Sequence, residues 1–293
     1  MNEAPATVAQ ALAWARAHGV ERSDARGLVA HALGCDRSWV IAHDEAALAA
    51  PARSLVAELL ARRAAGEPYA YLVGQREFHG LALSVTPSVL IPRPDTETLV
   101  QWALECLDGP LRGVATPQVL DLGTGSGAVA LALKHNCPRA QVSATDVSPA
   151  ALAVATSNGA RLGLGVDWRQ GSWWDAARPL PAGGGWHLAV SNPPYVAPGD
   201  PHLAALVHEP VSALVPPGDD GDGLSDLARI AAGATAHVLP GGFLLLEHGA
   251  DQGAAVRELL QRHGFESVCT RADLGGLERV TGGRRHVAAG NTS

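Results

Sequence analysis

The chain has 293 residues, 47 % hydrophobic and 17 % charged, enough apolar material for two domains or one large one and too much for global disorder. Its formal net charge of −7 argues against nucleic-acid binding by bulk phosphate neutralisation, which calls for a basic excess or stripe. The four cysteines, Cys35, Cys106, Cys137 and Cys269, form no C-x-x-C pair, which sets aside a disulfide framework and a zinc site.

The opening stretch "MNEAPATVAQ" has no basic segment leading into an apolar core, so no signal peptide is expected. No apolar run reaches the roughly 20 residues of a membrane span. The expected location is the cytoplasm, with no membrane partner. Residues 1–72 read as a helical domain. "ATVAQALAWARAHG" has an apolar face and stops at Gly19. "SDARGLVAHALG" opens on Ser23 as its cap and stops at Gly34, and "PARSLVAELLARRAAG" has Pro51 in its first turn and Gly66 as its stop. This bundle is either a partner-binding module or a cap on the next domain.

Residues 73–95 change character. "REFHGLALSVTPSVLIP" holds short β-rich pieces broken by Gly80 and Pro87, which predicts a β-hairpin linker. "RPDTETLVQWALECL" then opens a helix with Asp95 and Glu97 in its first turn, favourable for the helix dipole. Residues 96–287 form an α/β domain. Strands are expected at "QVLDLG", "QVSATD", "VDWRQG", "WHLAVS", "GGFLLLEHG", "SVCTRAD" and "RVTGGRRH", with helices between most of them. That alternation predicts a doubly wound, Rossmann-like parallel sheet of seven strands, the last two forming a hairpin. Residues 288–293 read as a frayed tail.

In "VLDLGTGSGAVALAL" a buried strand ends at Asp121 and a tight turn through Gly123, Gly125 and Gly127 enters a helix. Glycines let the backbone approach a ligand, and the helix start supplies free N–H groups. Gly125, Gly127 and Ala130 also fit the G-x-G-x-x-A dinucleotide fingerprint, and Asp146 at the end of the next strand suits ribose hydroxyls in either case. NAD and S-adenosyl-L-methionine therefore both fit. Asp121, two residues before the first glycine, resembles the methyltransferase form of the loop. Its carboxylate suits the cationic methionine end of that cofactor and would repel a pyrophosphate.

"HLAV" leads into Ser191-Asn192-Pro193-Pro194-Tyr195 at the carboxyl end of the fourth strand, where ligands of such sheets bind. Asn192 and Pro193 each precede a proline and are pushed out of the α region, and neither proline offers an N–H. The Asn192 side-chain oxygen and the Pro193 carbonyl can accept both N–H bonds of a planar –NH₂ group, with Tyr195 as an aromatic face. Such a nitrogen attacks poorly because its lone pair is delocalised. Holding its hydrogens orients it for in-line attack on a sulfonium methyl, a gain mainly of positioning.

"GQREFHGLALSVTPSVLIPRPDTETLV", "SNPPYV", "HEPVSALVPPGDDGDGL", "GGFLLLEHG" and "LERVTGGR" resemble the PrmC/HemK family of peptide chain release factor N5-glutamine methyltransferases, over nearly the whole chain. The resemblance implies a helical N-terminal substrate-docking domain, a β-hairpin linker and a class I S-adenosylmethionine-dependent methyltransferase domain. It implies that the glutamine of the Gly-Gly-Gln motif in class-1 release factors is the substrate. It places Gly123, Thr124, Gly125, Ser126 and Gly127 along the methionine and ribose of the cofactor, with Asp121 and Asp146. Asn192, Pro193, Pro194 and Tyr195 would hold the glutamine amide, with Asn192 bordering the cofactor as well. Trp173, in "QGSWWDAA", stands where the family has an aromatic residue beside the adenine. Trp174 is its neighbour, and Ser172 replaces the family's acidic residue. Arg93 and Glu97 resemble a signature at the active-site mouth. The long segment from Val196 to Leu224 is expected to cover the substrate, braced by Glu209 and Pro210. His202 and His208 lie there without a metal cluster, and no metal is expected. Ribosomal-protein glutamine and DNA adenine are the alternative acceptors. The acidic balance disfavours DNA, and no direct nucleic-acid contact is expected. "IPRPDTE" favours the release factor branch. A binding protein that docks release factors without chemistry would leave the filled cofactor and amide positions unexplained.

Overall fold

The computed structural model describes residues 4–177, 184–219 and 221–287. The expected tail, 288–293, lies outside them. The chain divides into two compact units, residues 1–75 and 76–293.

The first unit is helical. α1 (Val8–Ala17) is capped by Thr7, whose hydroxyl accepts from the Gln10 N–H. α2 (Arg22–Leu33) ends at Gly34 in the left-handed conformation. Ser23 does not cap it, because the helix starts one residue earlier and Glu21 holds the cap position without a side-chain bond. The helix is held by its buried stripe of Ala25, Leu28 and Val29. α3 (Arg37–Ala42) and α5 (Tyr69–Val73) are short helices the sequence pattern does not show, and α4 (Ala50–Ala64) carries Pro51 in its first turn. Each short helix contributes an apolar residue to the core, Val40 and Leu72.

The second unit opens with a hairpin, β1 (Gln75–Phe78) and β2 (Leu81–Ser84). The two turn residues, His79 and Gly80, both have positive φ, as a tight hairpin requires. A 3-10 turn (Pro94–Thr96) leads into α6 (Glu97–Asp108). There follow β3 (Gln118–Leu122), α7 (Ala128–Asn136), β4 (Gln141–Asp146), α8 (Pro149–Leu162), β5 (Asp167–Gln170), α9 (Trp173–Ala176) and β6 (Trp186–Ser191). After a long connection come α10 (Ser225–Ala234), β7 (Val238–Glu247), α11 (Gly253–Arg262), β8 (Phe265–Ala272) and β9 (Glu278–Arg285). All seven expected strands form one sheet in the order β5-β4-β3-β6-β7-β9-β8. The first five pair in parallel, and β9 inserts antiparallel between β7 and β8. β7 starts at Val238, three residues before the expected Gly241, because a register shift against β6 absorbs the glycine pair.

Alternation along the strands fills two cores. Val119 faces the layer of α6 and α7, while Leu120 and Leu122 face that of α10 and α11. Strand order reverses at β3, with β4 on one side and β6 on the other. Leu122 pairs with Ser191, so Gly123 and Asn192 leave the sheet side by side at its carboxyl edge. This is the topological switch point where open α/β sheets bind ligands. Among the described residues no helix is long and apolar enough to cross a membrane.

Candidate functional site

Asp121 sits on the second-to-last residue of β3, and the turn after it folds back onto its carboxyl. Oδ2 accepts the Thr124 hydroxyl at 2.6 Å and the Ala130 N–H at 3.2 Å. The residue is 1 % exposed, and burial pushes its carboxyl up to about 7 against those two bonds. Gly123, Gly125 and Gly127 have φ of 74°, 55° and 84°, so the loop takes a path closed to other residues. The Gly123 and Thr124 N–H groups both donate to the Thr145 carbonyl at 2.9 Å. Asp146, the last residue of β4, ties the loop from the other side. Its Oδ2 accepts the Gly125 N–H and its Oδ1 the Ser148 N–H, each at 2.9 Å. Burial raises its pKa as well.

These residues wall a cavity of about 460 Å³. Asp121, Gly123, Thr124, Gly125, Ser126, Asp146, Trp173, Asn192 and Pro194 line it. Trp173 has a left-handed backbone, φ 43°, and its ring lies against Gly123, where a Cβ would meet it at 3.1 Å. Its indole N–H donates to Asp226 Oδ1 at 3.2 Å. Trp174 turns the other way, into the core, donating to the Ile230 carbonyl and stacking on His237. Gly127 and the Pro193 and Tyr195 side chains stand back from the cavity wall. In an extended Asn-Pro-Pro-Tyr segment alternate residues face opposite ways, so Asn192 and Pro194 face the cavity while Pro193 is buried. The Tyr195 hydroxyl donates to Glu247 Oε1 at 3.3 Å, and its carbonyl accepts Gln252 Nε2 at 3.0 Å. Burial pushes its phenol up. Asn192 Nδ2 donates to Thr96 Oγ1 at 3.2 Å, which leaves Oδ1 for the cavity.

At the mouth, Arg93 Nη2 pairs with Glu209 Oε1 at 2.5 Å, and Glu209 Oε2 accepts the Ile91 N–H at 3.1 Å. Arg93, Pro210, Ser212 and Ala213 reach the cavity wall. Glu97 does not. Its carboxyl accepts the His79 N–H at 3.3 Å and braces the hairpin. His202 is exposed and pairs with Asp200, and among the described residues no cluster of His, Cys, Asp and Glu could hold a metal ion.

Residues 6–74 match the PrmC N-terminal domain, and residues 119–218 match a methyltransferase domain. The release factor glutamine methyltransferase of Bordetella pertussis is 51 % identical over 267 residues, 90 % of this chain and 95 % of that protein. The chain belongs to the release factor glutamine methyltransferase family. The proteins of the same name from Burkholderia pseudomallei and from Xylella fastidiosa strain Temecula1 are each 49 % identical, covering 96 % and 94 % of this chain and 96 % and 97 % of theirs. The fold is that of class I methyltransferases. The N-terminal domain of human METTL16, solved with SAH, aligns over 71 % of this chain and 77 % of its own at TM-score 0.53 and 16 % identity. Thermus thermophilus RsmC, a 16S rRNA N2 G1207 methyltransferase solved with AdoMet and guanosine, aligns over 72 % of this chain and 50 % of its own at TM-score 0.51 and 21 % identity.

Thr96 and Glu247 lie inside the motifs "IPRPDTE" and "GGFLLLEHG", whose letters do not single them out. Asp226 and Arg229, both on the cavity wall, carry no signal in the sequence, because they belong to a helix that reads as ordinary amphipathic surface.

Proposed function

We propose that this chain transfers a methyl group from S-adenosyl-L-methionine to the side-chain amide nitrogen (N5) of the Gly-Gly-Gln glutamine of class-1 peptide chain release factors. The observation that carries the reading is Asn192, an amide whose nitrogen is tied back to Thr96, facing the same cavity as Asp121 and Asp146. The cavity residues fit the cofactor. Among the described residues the Asp121 carboxyl is held through Oδ2, so its other oxygen is left for a cationic ammonium. Asp146 can receive ribose hydroxyls, and the Trp173 ring suits a planar base. When bound, the cofactor supplies a methyl group on a sulfonium that leaves as a neutral thioether.

The chain's own part is to hold and orient. Asn192 Oδ1 and the Pro193 carbonyl accept the two amide N–H bonds and turn the nitrogen toward the methyl. Tyr195, tied to Glu247 and Gln252, supports the segment from behind. The N–C bond forms as the S–C bond breaks, and the methylated nitrogen, then strongly acidic, gives its extra proton to water without a dedicated base. The segment around Glu209 and Pro210 closes the mouth. The N-terminal helical unit docks the body of the release factor, and the cytoplasm is where such a substrate is met.

The test is mass spectrometry of a release factor incubated with the protein and S-adenosylmethionine. The Gly-Gly-Gln peptide should gain the mass of one methylene on its glutamine. An unmodified peptide, with cofactor bound, refutes the reading.

A further inference from the structure

Glu247 closes β7 at the carboxyl edge of the sheet, 1 % exposed, behind the cavity wall rather than on it. Burying a carboxyl among strand residues such as Leu245 and Leu246 is costly unless it is partnered. The groups that face it are few. The Tyr195 hydroxyl donates to Oε1 at 3.3 Å. Thr96 and Arg279 favour its charged form, while Asp95 opposes it. Arg279 is itself shared with Asp273 at 3.2 Å and Asp95 at 3.6 Å. Oε2 is buried with no hydrogen-bond partner among the described residues, an acceptor left open beside the Thr96 hydroxyl that favours the charged carboxylate.

Thr96 is the link. It is 4 % exposed, and its oxygen accepts from Asn192 Nδ2. A hydroxyl has one proton to give, and Thr96 can give it either to Asn192 or to Glu247. A side-chain amide in turn has two nearly isosteric orientations, with oxygen and nitrogen exchanged. Only one presents an acceptor to the cavity.

Resting on the methyl-transfer reading above, we propose that Glu247 is a positioning residue for the reaction. As a carboxylate it draws the Thr96 proton, Thr96 must then accept from Asn192, and the Asn192 amide is fixed with its oxygen toward the substrate. Protonated Glu247 releases Thr96 to donate to Asn192 Oδ1, and the bias is lost. Burial pushes the Glu247 carboxyl up to about 7, against the opposing pull of Thr96, Arg279 and Tyr195, so the switch falls where cells operate. Turnover should therefore rise with pH as Glu247 ionises.

The experiment compares the full chain with Glu247→Gln, Thr96→Val and Thr96→Ser. Methylation of a Gly-Gly-Gln peptide is followed between about pH 6 and pH 8, cofactor affinity is measured by calorimetry, and the Asn192 Nδ2 protons are followed by NMR. In the wild type kcat should show an acidic limb, and the Nδ2 resonances should titrate with it. Glu247→Gln should lose both the limb and the titration. Thr96→Val should lower kcat by about tenfold or more, Thr96→Ser should recover it to within about threefold, and at any one pH the cofactor Kd of each variant should stay within about threefold of the wild type. The proposal is overturned if Glu247→Gln keeps the wild-type pH profile. It is equally overturned if Thr96→Ser is as impaired as Thr96→Val, which would make Thr96 a packing residue. Should the wild type bind cofactor and methylate no Gly-Gly-Gln peptide, the substrate reading fails. The Nδ2 titration then still decides the positioning claim, and resonances that ignore pH refute it.

Discussion

Arg93 and Glu209 stand 116 positions apart and meet in an ion pair at the cavity mouth, the carboxyl 3 % and the guanidinium 34 % exposed. The pair joins the segment before α6 to the long connection after β6. Glu209 also satisfies the Ile91 N–H, so its removal strands a buried donor as well as a charge. Glu209→Ala should destabilise the protein by about 1–3 kcal/mol, less than a wholly buried pair because Arg93 is partly solvated. Amide exchange around residues 206–214 should quicken. A denaturation cycle with Arg93→Ala should show a coupling of about 0.5 kcal/mol or more. Strict additivity would mean that the pair does not hold the mouth.

On the proposed reading, in which Asp121 meets the cationic end of the cofactor, cofactor binding is a proton-linked event. Its folded pKa is raised to about 7, above the ordinary carboxylate value, so the ligand-free fold holds a proton that the unfolded chain has lost. The sign follows. Asp121 contributes stability at low pH, and that contribution is lost as pH rises through the folded value. A cationic ligand beside the carboxyl would lower its pKa and expel the proton. Cofactor affinity should then strengthen with pH by up to about tenfold per unit below about pH 7 and level off above it. Calorimetry in buffers of different ionisation enthalpy should detect the released proton. Asp121→Asn should bind more weakly and release none. Proton release of the same size in that variant would assign the linkage to another group.

Gly223 bears directly on the Asn-Pro-Pro-Tyr segment. Its φ is 73°, and a Cβ there would collide with the Tyr195 carbonyl. Its N–H is already taken by Asp219 Oδ2 at 2.8 Å, so the turn cannot swing aside freely. Gly223→Ala should therefore displace the Asn-Pro-Pro-Tyr segment, at a backbone cost of about 1–2 kcal/mol. We expect kcat on a Gly-Gly-Gln peptide to fall by about tenfold or more. The cofactor Kd should move by less than about threefold, since Gly223 is not on the cavity wall. Steady-state kinetics with calorimetry would check this, and wild-type turnover would show that the segment tolerates the shift.

What was legible in the sequence is what is local. The glycine turn, the acid ending β4 and the proline pair all announce themselves within a few residues, and hydrophobic runs mark all seven strands. α3 and α5 went unread because helices of six and five residues are too short to show a period. Ser23 has the chemistry of a cap, but packing set the start of α2 before it. The side of the chain that Pro193 and Tyr195 face follows from the extended backbone, not from their identity. Thr96 to Asn192, Tyr195 to Glu247 and Trp173 to Asp226 span 96, 52 and 53 positions. Such pairs exist only once the sheet has formed, so single letters in a motif could not reveal them.

The Asp226 carboxyl holds the Trp173 ring in place, and this can be separated from simple packing. Trp173 keeps a left-handed backbone that costs a bulky residue about 1–3 kcal/mol, so something must over-determine its position. The indole bond to Asp226 is one such restraint and contact with Gly123 another. Asp226 is 2 % exposed, and burial raises its pKa while the indole and Arg229 lower it. Asp226→Ala removes the acceptor, whereas Asp226→Asn keeps an oxygen for the indole N–H. Asp226→Ala should therefore weaken cofactor binding by roughly 5- to 30-fold, the worth of about 1–2 kcal/mol, and Asp226→Asn by much less. The part of the cofactor-induced tryptophan quenching that Trp173→Phe abolishes should shrink in the alanine variant alone. Equal losses in both variants would mean that the charge of Asp226 matters and its hold on the indole does not.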